Sequence, residues 1–270
     1  MKHWTLDDIS WDSFDPTKVD PDLLKLAKAA AMVEKNGLDY SAYLANVFPN
    51  DPGFRRVAEH WATEEVQHGD ALGRWAMLAD PTFDFDAAFA RFREGYSLPL
   101  DATSSVRGSH VGELVARCIV EVGTNSYYTS LAMAADEPVL KEICGKIAED
   151  EFRHYNLFYS HLCRYLETED LSRWERLKVA LGRMAETEDD ELAYAYYAAN
   201  NQNEPYDRKR FSREYTIRAY RYYQSPVIER GVSMTLKAAG FKPTGWAATA
   251  LSKAAARFMT FRQRRLAEAA

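Results

Sequence analysis

Apolar side chains recur every three to four positions along most of the chain, which is the spacing of amphipathic α-helices. No segment shows the sustained alternation of apolar and polar residues that indicates a half-buried β-strand. The pattern predicts four long helices followed by three further helical segments. They run over residues 21–48, 52–78, 106–134 and 137–165, and then over 171–200, 207–239 and 244–267.

Capping residues mark where two of these helices begin. Asp51 followed by Pro52 has the form of an N-cap residue with proline at the first helical position. Asp136 is predicted to cap the helix that starts with Glu137 and Pro138. Both starts therefore rest on local backbone chemistry as well as on the apolar pattern.

Residues 81–105 carry no sustained pattern and predict a long connection between the second and third long helices. Four long helices with one long central connection predict an all-α, ferritin-like four-helix bundle with additional C-terminal helices. We expect a single domain over residues 1–270, with its core over about 22–166 and the extra helices over about 171–267.

The second and fourth long helices each contain a Glu-x-x-His motif, formed by Glu65 with His68 and by Glu151 with His154. Three residues are about one helical turn, so both side chains of each motif lie on one face. One such motif is common in helical proteins, but two on alternate long helices are far more specific. A carboxylate-bridged two-metal site also needs one carboxylate from each of the other two helices.

Those carboxylates are Glu34, within an apolar run of the first long helix, and Glu121, within an apolar run of the third. Burying a lone ionised carboxylate is costly, and two cations would offset that cost for all four at once. Four Glu and two His suit iron or manganese better than a metal that prefers thiolates. Any one of these glutamates can instead lie on a solvated face, as we expect for the adjacent Glu64 and Glu149.

Around these residues the sequence resembles the soluble acyl-acyl-carrier-protein desaturase family. Glu64–Asp70 resembles its Glu-Glu-Asn-Arg-His-Gly-Asp, and Ile143–His154 resembles its Ile-Cys-Gly-x-Ile-Ala-x-Asp-Glu-x-Arg-His. Glu121–Thr124 is similar to its Glu-Arg-Ala-Thr, and Glu34 fits its first-helix glutamate. The resemblance covers roughly residues 30–165.

The resemblance implies two iron ions per chain, with a manganese–iron pair as an alternative. It implies six metal ligands: Glu34, Glu65, His68, Glu121, Glu151 and His154. It places Glu65 and Glu151 where bridging carboxylates belong. Thr124 corresponds to a threonine near the oxygen-binding face that can relay protons, and Asp150 to a carboxylate that holds a ligand histidine.

The implied activity is oxygen-dependent insertion of a double bond into a fatty acyl chain carried by acyl carrier protein or coenzyme A. The implied partners are a ferredoxin-type electron donor and a second copy of the chain. Departures at Gly123 and residues 125–128, and a poor match after Glu167, leave two alternatives open. These are a di-iron oxygenase or hydroxylase acting on another substrate, and a ferroxidase or iron-handling ferritin-like protein.

Two absences disfavour other di-iron classes. Radical-generating ribonucleotide reductase subunits carry a tyrosine four residues after the first ligand histidine, where this chain has Leu72. Di-iron N-oxygenases carry an additional histidine four residues before the final ligand glutamate, where this chain has Ile147.

Charge is distributed unevenly along the chain. Residues 205–270 hold 14 Lys and Arg against 4 Asp and Glu, whereas residues 1–204 hold 20 against 36. The basic portion can dock an acidic carrier protein, lie on an anionic membrane surface, pack on a dimer mate or simply be a solvated face. The net charge of −6, without a recognisable motif, argues against nucleic-acid binding.

Composition narrows the class of protein further. A hydrophobic content of 47% supports a sizeable core and excludes intrinsic disorder. We expect no membrane-spanning segment, because no apolar run approaches about 18 residues, and no secretory signal, because Asp7 and Asp8 follow the N-terminus closely. Three widely separated cysteines predict a reducing, cytoplasmic location without disulfides.

Overall fold

The computed structural model describes residues 3–186, 190–201 and 203–268. Over these ranges the chain forms three short 3-10 helices, eleven α-helices and no β-strand. The 3-10 helices are Leu6–Asp8, Trp11–Ser13 and Pro16–Lys18, and the α-helices are α1 (Pro21–Lys35), α2 (Gly37–Val47), α3 (Pro52–Ala79), α4 (Phe85–Gly95), α5 (His110–Ala134), α6 (Pro138–Tyr165), α7 (Arg173–Glu186), α8 (Asp190–Asn200), α9 (Arg208–Tyr220), α10 (Ser225–Ala238) and α11 (Trp246–Glu268). The predicted all-α class is confirmed.

The first long segment is interrupted, and the prediction of one continuous helix over residues 21–48 is wrong at Asn36. Just after the break, the backbone of Gly37 lies against α3. A Cβ atom at Gly37 would lie 2.6 Å from Cβ of Glu65 and 2.9 Å from the carbonyl oxygen of Ala62. Only glycine permits this approach, which brings the end of α1 close to the middle of α3.

The starts of α3 and α6 follow the predicted chemistry with one correction. The Asp51 side chain accepts a hydrogen bond from the Phe54 amide at 2.9 Å, as an N-cap residue does. The cap of α6 is Glu137 rather than Asp136, since the Glu137 carboxylate accepts from the amides of Val139 and Leu140.

Residues 81–105 contain a helix, α4, that the sequence interpretation did not predict. Asp84 caps it by accepting from the Ala87 amide at 2.9 Å, and Phe85 and Phe92 are buried on its inner face. The predicted segment over 171–200 contains α7 and α8, with residues 187–189 outside the described residues. The segment over 207–239 contains α9 and α10, because Pro226 starts a new helix.

Helices α1, α3, α5 and α6 build the bundle: α1 lies along α3, α5 lies along α6, and α3 also contacts α6. Two apolar clusters fill the interior, and each of α3, α5 and α6 contributes to one cluster near its start and to the other near its end. The predicted ligand residues lie between the two clusters. Helices α7 and α10 pack on α5, and α8 packs on α1.

Among the residues that the structure describes, no helix combines the length and apolar character that crossing a membrane would require.

Candidate metal centre

The six predicted ligand residues converge in the middle of the bundle. Glu34 lies at the end of α1, Glu65 and His68 on α3, Glu121 on α5, and Glu151 and His154 on α6. None of the six is more than 8% exposed. The spacing of three residues within each Glu-x-x-His motif turns both of its side chains inward.

These side chains form two groups that share two members. One group is Glu34, Glu65, His68 and Glu151, and the other is Glu65, Glu121, Glu151 and His154. Within each group, one ligand atom from every residue lies within 4.8 Å of the others. Since Glu65 and Glu151 belong to both groups, the arrangement could hold two adjacent metal ions with these two carboxylates in common.

Distances within each group show how closely the side chains approach one another. Nδ1 of His68 lies 3.3 Å from Oε1 of Glu151 and 3.5 Å from Oε2 of Glu34. Nδ1 of His154 lies 3.0 Å from Oε1 of Glu65 and 3.8 Å from Oε2 of Glu121. Both histidines therefore present the same nitrogen, Nδ1, to the centre.

Whether the centre suits metal ions can be tested by asking which of its buried polar atoms lack a hydrogen-bond partner. Each of the six residues has one such atom: Oε2 of Glu34, Oε1 of Glu65, Nδ1 of His68, Oε1 of Glu121, Oε1 of Glu151 and Nδ1 of His154. A buried polar atom without a partner is costly. Two cations would give all six a partner, and oxygen donors with imidazole are the set that iron and manganese accept.

The outer nitrogen of each histidine is held by a carboxylate of the other motif-bearing helix. Nε2 of His68 lies 3.1 Å from Oδ2 of Asp150 on α6. Nε2 of His154 lies 2.8 Å from Oε2 of Glu64 on α3. Such partners fix the ring orientation of a metal-binding histidine and its tautomer. Asp150 thus lies beside His68, one of the predicted ligands.

Glu64 was expected on a solvated face, and that expectation is wrong, because it is 9% exposed and bonded to His154. Glu149, by contrast, is exposed as expected. A signal was available: an acidic residue directly precedes both Glu65 and Glu151, so the two motifs are alike in this respect too.

The N-terminal segment covers these outer carboxylates. The Trp4 indole donates to Oδ2 of Asp150 at 2.7 Å, and its ring stacks on His68 with centroids 5.9 Å apart. His3 forms an ion pair with Glu64. Arg153 lies beside both carboxylates, 2.5 Å from Asp150 and 3.4 Å from Glu64. Sequence reasoning assigned none of these contacts.

Two hydroxyl groups of α5 bind ligand carboxylates from within the bundle. Thr124 donates to Oε2 of Glu151 at 2.5 Å, which places this predicted residue at the centre. Tyr128 donates to Oε1 of Glu34, also at 2.5 Å, and sequence reasoning missed it. The spacing of four residues between Thr124 and Tyr128, one helical turn, could have indicated that both face the same interior.

Protonation of the centre reflects its crowded carboxylates. Burial and the neighbouring Glu151 carboxylate raise the pKa of Glu65 and of Glu121 well above the usual range. Burial opposes charging of His154, but the neighbouring Glu151 carboxylate and the hydrogen bond to Glu64 outweigh this and raise its pKa to about 10. The same balance raises the pKa of His68 well above its usual value, with Asp150 as its largest partner. The two histidines therefore favour the charged form, whereas Glu65 and Glu121 favour the neutral form.

A pocket of about 200 Å³ reaches the centre from the side of α5. Glu34, Glu65 and Thr124 line its inner end, together with Gly123, where a Cβ atom would meet no other atom within 4 Å. Most of the exposed wall is apolar or aromatic. A small reactant can therefore approach the ligand carboxylates next to Thr124 in a largely apolar environment.

Comparison with known proteins adds a family assignment. No curated protein matches the chain. A family model described as fatty acid desaturase matches residues 40–176, just over half of the 270 residues. This range contains five of the six residues of the centre and leaves out Glu34. The chain belongs to the fatty acid desaturase family.

Proposed function

We propose that this fatty acid desaturase family member is an oxygen-dependent di-iron oxidase of the acyl-carrier-protein type. It would introduce a double bond into a carrier-bound fatty acyl chain. The observation that carries the proposal is the pair of overlapping groups in which Glu65 and Glu151 are shared. Family membership supports desaturation as the reaction.

The six residues of the two groups would hold two iron ions, or a manganese–iron pair, with Glu65 and Glu151 between them. When bound, the metal pair would supply the electrons that activate dioxygen for attack on an unreactive C–H bond. Asp150 and Glu64 would keep the two imidazole rings oriented toward the metals.

Thr124 is the hydroxyl placed to manage protons at the centre. It donates to Glu151 and also lines the pocket, so it lies between a ligand carboxylate and the space for the substrate. The apolar pocket wall would exclude water while the acyl chain is present. Tyr128, one turn further along α5, would hold Glu34 in place.

Partners follow from charge and from the family resemblance. An acidic acyl carrier protein would be attracted to the basic C-terminal helices, where α11 carries Lys253 and Arg257 beside the exposed Phe258 and Phe261. A ferredoxin-type donor would supply the remaining electrons, and a second copy of the chain would complete a homodimer. These partners, and a cytoplasmic location, are parts of the proposal.

The test is the mass of the acyl chain after one turnover. Iron-loaded, chemically reduced protein is mixed with oxygen and with a panel of acyl carrier proteins and acyl-coenzyme A esters. A loss of two mass units supports the proposal and ranks the substrates by chain length. A gain of one oxygen atom would show a hydroxylase, and oxygen consumption with unchanged chains would indicate another substrate or ferroxidase activity. Protein carrying Glu151→Ala serves as the control.

A further inference from the structure

A second, larger pocket lies outside the pocket that reaches the metal centre. Its volume is about 460 Å³, and it shares part of its wall with the inner pocket. The shared residues are Tyr40, Arg117, Arg183, Glu186 and Glu191. The two pockets therefore adjoin at these residues, and the inner one is also lined by Glu34, Glu65 and Thr124.

Charged side chains concentrate in the outer pocket, and several of them are already engaged. Arg107 forms two hydrogen bonds to the two oxygens of Glu186. Glu113 accepts from the hydroxyl of Tyr43 at 2.9 Å and from that of Ser105 at 2.7 Å. These groups have their partners within the protein.

Arg117 and Arg183 differ from these groups, because their hydrogen-bonding capacity is not filled by the residues that the structure describes. Arg117 is only 8% exposed and forms an ion pair with Glu113 at 3.7 Å, but its buried Nε has no hydrogen-bond partner. Arg183 forms no hydrogen bond or ion pair with any residue that the structure describes. Burial, with the neighbouring Arg117 and Arg107 cations, lowers the pKa of Arg183 to about 10. Among the described residues, both arginines therefore keep donors without a hydrogen-bonded acceptor, although Glu186 attracts Arg183 and Glu191, whose buried Oε1 also lacks a partner, lines the same pockets.

We propose that Arg117 and Arg183 bind an anionic oxygen group of the substrate while its hydrocarbon chain extends into the inner pocket. This inference rests on the proposed function, since it places the other end of the same substrate. The group is either the carboxylate of a free acid or the phosphate of a phosphopantetheine arm. Guanidinium groups suit both because their donors pair with two oxygens at once. An anion would also relieve the repulsion between the two arginines.

The experiment measures binding by calorimetry to the iron-loaded, oxidised protein, in which no turnover occurs. The probes are decanoate, phosphopantetheine and the uncharged decanol. Arg183→Gln and Arg117→Gln are compared with Arg210→Gln, which alters an exposed arginine on α9 that pairs with Glu204 and Glu214. Arg183→Lys keeps the charge without the planar fork and serves if a glutamine variant does not fold.

We expect the affinity for the anionic probe to fall roughly 10- to 100-fold in the Arg183 and Arg117 variants. The affinity for decanol, the iron content and the Arg210→Gln variant should be unchanged. Loss of decanoate binding identifies a carboxylate, and loss of phosphopantetheine binding identifies a phosphate. Equal binding by wild type and variants, or no binding of either anion to the wild type, would overturn the proposal. Arginine-dependent binding, combined with unchanged acyl chains in the one-turnover mass measurement, would instead contradict the proposed function alone.

Discussion

The metal centre and the basic C-terminal helices both concentrate one sign of charge, but they handle it in opposite ways. The centre buries four carboxylates and leaves one atom of each without a hydrogen-bond partner. On α9, Arg218 and the adjoining Arg221 reach across to Asp22 of α1 and form ion pairs with it. Unpartnered buried charge indicates a ligand, whereas paired exposed charge indicates packing between helices. Whether a charged side chain has a partner within the protein therefore says more about function than the number of charges in the region does.

The largest expected effect comes from removing a carboxylate shared by both metal groups. Glu151→Ala should abolish iron binding at the centre, because both groups lose an oxygen ligand at once. The fold should largely persist, since the variant also removes one of four crowded carboxylates. Iron content by elemental analysis and helix content by circular dichroism measure the two effects.

Glu149→Ala is the matched control, because Glu149 lies on the same helix but is exposed. It should retain both iron ions. If Glu151→Ala still bound two iron ions per chain, the ligand assignment would be wrong.

A smaller effect is expected from the carboxylates that hold the outer nitrogens of the histidines. Asp150→Asn and Glu64→Gln should each weaken metal binding by roughly 10- to 100-fold, because the imidazole rings lose their orienting partners. Competition with a chelator measures the affinity.

Comparing these two variants also tests whether the two sides of the centre are equivalent. Asp150 is bound by Trp4 and Arg153, whereas Glu64 is bound by His3 and more distantly by Arg153. Similar losses would show that the two carboxylates are equivalent despite their different partners. An unchanged affinity in both variants would remove the role assigned to these carboxylates.

The six central residues could be predicted because each depends on local rules. A Glu-x-x-His motif aligns its side chains within one helical turn, and a glutamate inside an apolar run needs a counter-charge. Trp4 could not be predicted, because its partner Asp150 lies 146 residues away and only folding brings them together. The same holds for Arg183, which makes no hydrogen bond to any described residue and whose neighbours Arg117 and Arg107 come from another part of the chain.

Helix boundaries were predicted where capping chemistry is local and missed where tertiary contact decides. Asp51 and Pro52 marked the start of α3 correctly. The break at Asn36 depends on the contact of Gly37 with α3, which no local pattern reveals. Helix α4 is short and was hidden in a region of mixed composition, although Asp84 provides a cap.

Replacing Asp51 is expected to have a moderate effect on the free energy of unfolding, and the size of this effect depends on pH. Asp51→Ala should lower the free energy of unfolding by about 1 kcal/mol at pH 7, because the N-cap of α3 is lost. Burial opposes ionisation of Asp51, but the Phe54 amide, Arg164 and Tyr165 outweigh it and lower its pKa from 3.8 to about 2. A lowered folded-state pKa stabilises the protein above pH 4, and this contribution is lost as the pH falls toward 2.

Denaturant unfolding of wild type and Asp51→Ala between pH 7 and pH 2 tests this. The difference between the two proteins should shrink steadily below pH 4. A difference that stays constant down to pH 2 would show that the ionised carboxylate is not what stabilises the helix start.

The smallest effect is expected from Arg218 and Arg221, the paired arginines that were compared above with the metal centre. Arg221 is 54% exposed, and it shares Asp22 with the less exposed Arg218. Arg221→Ala should therefore change the free energy of unfolding by less than about 1 kcal/mol, and 1 M salt should reduce the difference further. Iron content should be unaffected. If this variant instead weakened carrier-protein binding severalfold while leaving stability unchanged, Arg221 would belong to a docking surface, and its pairing with Asp22 would have to open when the carrier binds.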